Sequence, residues 1–199
     1  MLVTTNDLFI QMFTQMSNLI IDKTKIHFLE KLNQSPLEVY DLQRHVEQVE
    51  IWANKILNGH PEINNEIVLT SVWLHDIGKI SGNENIDHAV NSEKEAIIFL
   101  KSLNVDKSTI TAVAHCVRAH RCKDVLPETS EAKLLAAADS FSHMTYYVYI
   151  LFATEEGPEA ATAKLERDIK DLDYFPEFIN EIKPLYSAWK SLLVSWPSL

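Results

Sequence analysis

The sequence predicts an all-α protein built as a single-domain bundle of helices. Three observations carry that expectation. Glycine is scarce, 4 of 199 residues, and glycine is what tight sheet turns and phosphate-cradling loops rely on. Between the breaks, apolar residues recur at three- and four-residue spacing, the period of a helix face, and do not alternate. Length and composition suit one core: a single core serves up to about 250 residues, and 46% of this chain is apolar.

The breaks lie at Pro36, Asn58-Gly59-His60-Pro61, Ser81-Gly82-Asn83, Pro127, Gly157-Pro158 and Pro176. A first helix is expected over about 6–32, with Phe9, Met12, Phe13, Met16, Leu19 and Ile20 on one stripe. The second covers about 39–57, where His45, Val49, Trp52, Ala53 and Ile56 share a face. The third runs over about 65–78, with Gly78 as its stop. A fourth spans about 87–103 and buries Ala89, Ala96, Ile97 and Leu100. The fifth, capped by Asp106 or Ser108, reaches about His120 through Ile110, Val113, Ala114 and Val117. The sixth starts after Pro127, with Thr129 or Ser130 as cap, and continues past Asp139 to about Ala153. Two more cover about 158–171 and 176–195, the last bent at Pro184.

The formal charge is −10, from 18 Lys+Arg and 28 Asp+Glu. Such a surface repels polyphosphate backbones, which disfavours a nucleic-acid scaffold role. A small anionic substrate stays admissible, because a bound divalent cation inverts the local sign. Cys116 and Cys122 are too few for a disulfide framework and read as core or incidental thiols. They fit a reducing, cytoplasmic setting. Asp7 stands where a secretion signal needs an apolar stretch. The longest apolar run, 144–153, is shorter than the about 20 residues a bilayer requires. No membrane span is expected. Four tryptophans and apolar terminal helices would suit a self-association surface, a homo-oligomer, and suit core packing equally.

Polar side chains of ligand type interrupt apolar helix faces at three places. His45 starts an apolar stripe, His75-Asp76 follows Val72-Trp73-Leu74, and Asp139 follows Leu134-Leu135-Ala136-Ala137-Ala138. An unpaired carboxylate costs several kcal/mol to bury, so each needs a partner. Taken singly, His45 or Asp139 reads more readily as a satisfied core or capping group. Taken together, one shared cation satisfies all four. Two imidazoles with two carboxylates suit Mn²⁺, Fe²⁺, Co²⁺, Ni²⁺ or Zn²⁺, with Mg²⁺ also admitted, and leave positions open for water and substrate.

The order His45, then Leu74-His75-Asp76-Ile77-Gly78-Lys79, then Ala138-Asp139-Ser140 resembles the HD-domain superfamily of metal-dependent phosphohydrolases. The resemblance covers about 39–150 and leaves helices within 1–35 and 157–199 as flanks of one helical domain, 1–199. It implies a helical core of that type and a divalent metal held by His45, His75, Asp76 and Asp139. In proteins with the same His-Asp-Ile-Gly-Lys segment the lysine approaches the substrate phosphate. That gives Lys79 a substrate-binding role, and with Asp76 a catalytic one. Other branches carry a water-activating glutamate there, and this sequence has none. Some members use histidines near the places of His88 and His120 to hold a second metal or contact phosphate; His115 points elsewhere on its helix.

Arg118 and Arg121 flank His120, and one of them, Arg121 by preference, could clamp phosphate bidentately. His143 could line the pocket, and one of Tyr146, Tyr147, Tyr149 and Phe152 could floor it. The expected function is metal-dependent hydrolysis of a phosphate ester or anhydride in a small phosphorylated molecule, with a nucleotide as a natural case. Two rivals stay open. One is a di-iron oxygenase, which needs both His88 and His120 as ligands. The other is a non-catalytic metal- or nucleotide-binding module.

Overall fold

Short polar side chains at the breaks start the helices that carry the site. Asn64 accepts hydrogen bonds from the backbone N–H groups of Glu66 and Ile67 and opens α3 (Asn65–Leu74). Asp87 does the same for α4 (His88–Ser102), Asp106 for α5 (Lys107–Ala119) and Thr129 for α6 (Ser130–Met144). Before them come α1 (Thr5–Gln34) and α2 (Leu42–Gly59); after them α7 (Val148–Glu155), α8 (Pro158–Asp171) and α9 (Ile179–Val194). The computed structural model describes residues 5–35, 41–80 and 85–197, with side chains from residue 19 onward. These residues form helices and connecting turns, with no strand among them, as the all-α expectation requires.

Two helices form the centre. The residues of α3 from Thr70 to Leu74 are all buried, and α3 packs against α1, α2, α4, α5 and α6. In α6 every residue from Leu134 to Met144 is buried, against α2, α3, α5, α8 and α9. Neighbouring helices cover these stretches of both, so both sit inside the bundle. The amphipathic α2 buries Leu42, Val46, Val49, Trp52, Ala53 and Ile56 on one stripe, with His45 at its edge. Trp52 and Trp73 are core residues, while Trp189 and Trp196 pack against that core. Core packing therefore accounts for all four tryptophans.

Three expected elements differ. First, α3 stops at Leu74 and does not reach Gly78. The His75 ring donates from Nδ1 to the Val72 carbonyl, 2.7 Å away, taking the acceptor that the next helical N–H would use. A separate 3-10 turn, Ile77–Lys79, follows. Second, the sixth helix is two. The Met144 carbonyl accepts from the Trp189 indole at 2.9 Å, and Thr145 Oγ1 accepts from the Trp52 indole at 3.2 Å, so the chain turns before Val148. Third, Leu19, expected on a buried stripe, is 51% exposed. Phe9, Met12, Phe13 and Met16 lie outside the residues whose side chains are described, and Pro36, Val39 and Ser81-Gly82-Asn83 outside the described residues altogether.

Gly78 serves close packing. A Cβ there would lie 2.5 Å from the His88 carbonyl oxygen and the Ser92 nitrogen, and the Gly78 N–H donates to Ser92 Oγ at 2.9 Å. The 3-10 turn after His75-Asp76 is thereby pressed onto the first turns of α4. Gly157, at φ 97°, holds a left-handed conformation open to glycine and leads into Pro158 at the start of α8. Gly78→Ala is expected to cost about 1–3 kcal/mol through overpacking against backbone atoms. Chemical denaturation checks this, and an unchanged midpoint would contradict the packing.

Candidate metal centre

The four residues singled out for the metal come together. His45 closes the first helical turn of α2, His75 and Asp76 follow the C-terminus of α3, and Asp139 lies within α6. His45 Nε2 is 3.2 Å from His75 Nε2, 3.4 Å from Asp76 Oδ2 and 3.2 Å from Asp139 Oδ1. His75 Nε2 is 3.4 Å from Asp76 Oδ2 and 3.9 Å from Asp139 Oδ1. Ligands about 2.1 Å from one ion stand roughly 3.0 Å apart at right angles and about 3.4 Å apart at tetrahedral ones. The observed spacings suit a shared divalent cation.

Protonation points the same way. A carbonyl oxygen only accepts, so the Val72 carbonyl fixes the proton of His75 on Nδ1 and leaves the Nε2 lone pair facing the cluster. Burial lowers the His75 pKa further, keeping the ring neutral. Burial alone would raise the carboxyl of Asp76, but Lys79, whose ammonium donates to Oδ2 at 2.5 Å, together with His75, His45 and His88 outweighs it and holds Asp76 well below the usual range. Asp139 is likewise held down against burial by His143 and His45. Both carboxyls are therefore charged and buried, yet Asp76 Oδ1 and Asp139 Oδ1 find no hydrogen-bond donor among the described residues. Buried carboxylate oxygens without donors, facing imidazole nitrogens, are what a cation satisfies.

Asp76 faces a second group of histidines. Its Oδ1 is 3.3 Å from His88 Nε2 and 3.8 Å from His120 Nε2. The His120 ring donates from Nδ1 to the Val117 carbonyl at 2.7 Å, so its Nε2 also carries the lone pair. Burial pushes His88 down to about 4 and, with His75 nearby, His120 down to about 3. Asp76, His88 and His120 thus form a further set of residues able to hold an ion, with the two oxygens of one carboxylate serving the two sets.

The other candidates divide. Lys79 and Arg121 line the adjoining cleft of about 340 Å³. Arg121 pairs there with Asp87, which tethers the residue after His120 to the cap of α4 beside His88. Arg118 faces a different cleft and pairs with Asp124, while His115 accepts the Glu128 N–H at 3.1 Å. Phe152 lines the cleft wall; Tyr149 is buried, and its hydroxyl donates to Asp168 at 2.8 Å.

His143 lines the cleft as expected, but the wall it leans on, from α8 and Lys123, escaped the sequence reading. His143 Nε2 is 3.3 Å from Asp139 Oδ1, and its Nδ1 is 3.1 Å from Asp168 Oδ2 on α8. Lys164 pairs with Asp168 at 3.2 Å. The same helix brings Arg167 and Asp171 to the cleft, and Lys123 joins from the α5–α6 connection. The signal was present: Asp168 falls on the buried face of α8 with Ala161 and Leu165, just as Asp139 interrupts α6. Burial raises Asp171 to about 6, and the Ser140 hydroxyl donates to it at 3.1 Å.

Two outcomes follow. Asp168→Ala strands the mostly buried Lys164 ammonium and unties His143, at an expected cost of about 3–5 kcal/mol; a shift under about 1 kcal/mol in denaturant unfolding would contradict it. Contacts with Asp139 and Asp76 outweigh burial and raise His45 above 6.5. Metal must displace that proton, so Mn²⁺ affinity should weaken about tenfold per pH unit below the His45 pKa and level off above it. A pH-independent affinity through the neutral range would contradict this.

No curated protein and no solved structure matches the chain significantly. The sequence model of the HD domain matches residues 42–144, a segment that opens with α2 and closes with α6 and holds every residue of both candidate ion sets. That match covers just over half of the chain, and the protein therefore belongs to the HD-domain family.

Proposed function

We propose that this protein is a metal-dependent phosphohydrolase that cleaves a phosphate ester or anhydride of a small molecule, a nucleotide being a natural case. The observation that carries the reading is the Asp76 carboxylate, buried and charged between two groups of imidazoles at the back of a cleft walled by cations. Membership of a family of mostly metal-dependent hydrolases supports it. No described helix is long and apolar enough to cross a membrane.

In this reading His45, His75, Asp76 and Asp139 hold the ion. When bound, it supplies Lewis-acid polarisation of phosphoryl oxygen and acidifies water. Lys79 sits within hydrogen-bond reach of Asp76 and is half-exposed to the cleft, so it meets the phosphoryl oxygens and offsets charge developing there. Neutral His88 and His120 either complete a second ion site with Asp76 Oδ1 or bind the same oxygens. The second set also keeps an oxygenase reading in play. Iron near two per chain together with substrate-dependent oxygen uptake would favour that chemistry over hydrolysis.

A metal-by-substrate screen on the purified protein, with metal content measured in parallel, tests the proposal. Turnover of phosphate esters or anhydrides should require an added divalent ion and vanish with chelation. Asp76→Ala and Asp139→Ala should each lose both retained metal and turnover. Lys79→Ala should keep its metal and lose about 10²–10³ in kcat. Full activity in either aspartate variant removes the mechanism.

A further inference from the structure

The cleft extends past the metal centre along α8. Lys164, Arg167, Asp168 and Asp171 fall on one face of that helix and all line the cleft. Lys164 and Asp168 neutralise each other beside His143. Arg167 does not behave like the other arginines. Arg118 and Arg121 are ion-paired, and Arg44 lies over the Tyr146 ring, whereas Arg167 has no charged or aromatic partner among the described residues. Lys123, on the same cleft, has none either. In a chain with ten more acidic than basic residues, two exposed cations without an ion-pair partner beside one cavity are placed for an external anion.

Shape agrees with charge. The cavity of about 340 Å³ lies in the size class of organic ligands. Val148 and Phe152 supply apolar lining, so a carbon skeleton has a surface to rest on. Glu156 lines the same space without an ion-pair partner among the described residues and repels an anion from its own surroundings. Arg167 lies beyond the matched family segment, as does all of α8.

We infer that Arg167 and Lys123 form a second anion-recognition position, and that the substrate carries at least two phosphoryl groups, one cleaved at the metal centre and another held by these two side chains. The inference rests on the phosphohydrolase reading for the first group only. A bidentate guanidinium contact reads a phosphate by geometry as well as charge, while the lysine adds a point charge.

Titration calorimetry in excess Mn²⁺ tests it with probes that cannot be hydrolysed: methylphosphonate, methylenebisphosphonate and propylenebisphosphonate. At least one bisphosphonate should bind the wild type tenfold or more tighter than methylphosphonate, the scale of one charged contact. In the Lys123→Gln/Arg167→Gln double variant that advantage should fall below about threefold. Both positions are exposed, so folding is not at stake. An advantage that survives the double variant, or none in the wild type, overturns the inference. Loss of the advantage in the variant, combined with no turnover of any phosphate ester by the wild type, sinks the hydrolase reading and leaves the anion position standing.

Discussion

The structure depends on keeping one charged carboxylate, that of Asp76, almost wholly away from water. Burying such a group without compensation costs far more than a small domain can spare. Lys79 on one side and imidazole nitrogens on the others offset that cost only in part, since Oδ1 is left without a donor. The surrounding architecture follows from this constraint. α3 must end at Leu74 so that His75 and Asp76 occupy a turn, and Gly78 must lack a side chain so that α4 can bring His88 against the same carboxylate. Asp139 must project from the buried stretch of α6 at the back of the cleft.

Much of this was legible in the sequence because the same rule locates each residue: a charged or imidazole side chain on an otherwise apolar helix face has to be paired. The rule found His45, His75, Asp76 and Asp139, and the structure brings their ligand atoms within 3.9 Å of His45 or His75. The resemblance to the HD family, and not this rule, pointed to His88 and His120, whose approach to Asp76 depends on how α4 and α5 cross the turn after α3. Helix ends were less legible. The stop at Leu74 is a side-chain capture of the Val72 carbonyl, and the break after Met144 relies on an indole some forty-five residues away. Neither leaves a glycine or proline to mark it.

The wall from α8 was missed for a different reason. Asp168 obeys the same pairing rule, and Lys164 lies one turn before it, but its other partners, His143 and Tyr149, come from α6 and α7, and only tertiary structure sets them around the carboxylate. Arg167 and Lys123 carry no sequence signal at all, being exposed charges of a kind common on any helical surface. Their meaning comes from the cleft they share with the metal centre. The family segment thus holds both sets of residues able to bind an ion, while the flanking α8 lines the cleft beside them.

Four side chains, from α2, the turn after α3, and α6, converge as ligands for one cation. Crystals grown with Mn²⁺ and measured at its absorption edge test this most directly. The account predicts an anomalous peak about 2.0–2.2 Å from His45 Nε2, His75 Nε2, Asp76 Oδ2 and Asp139 Oδ1. An empty difference map at that point, with the protein folded and Mn²⁺ present in excess, would contradict it.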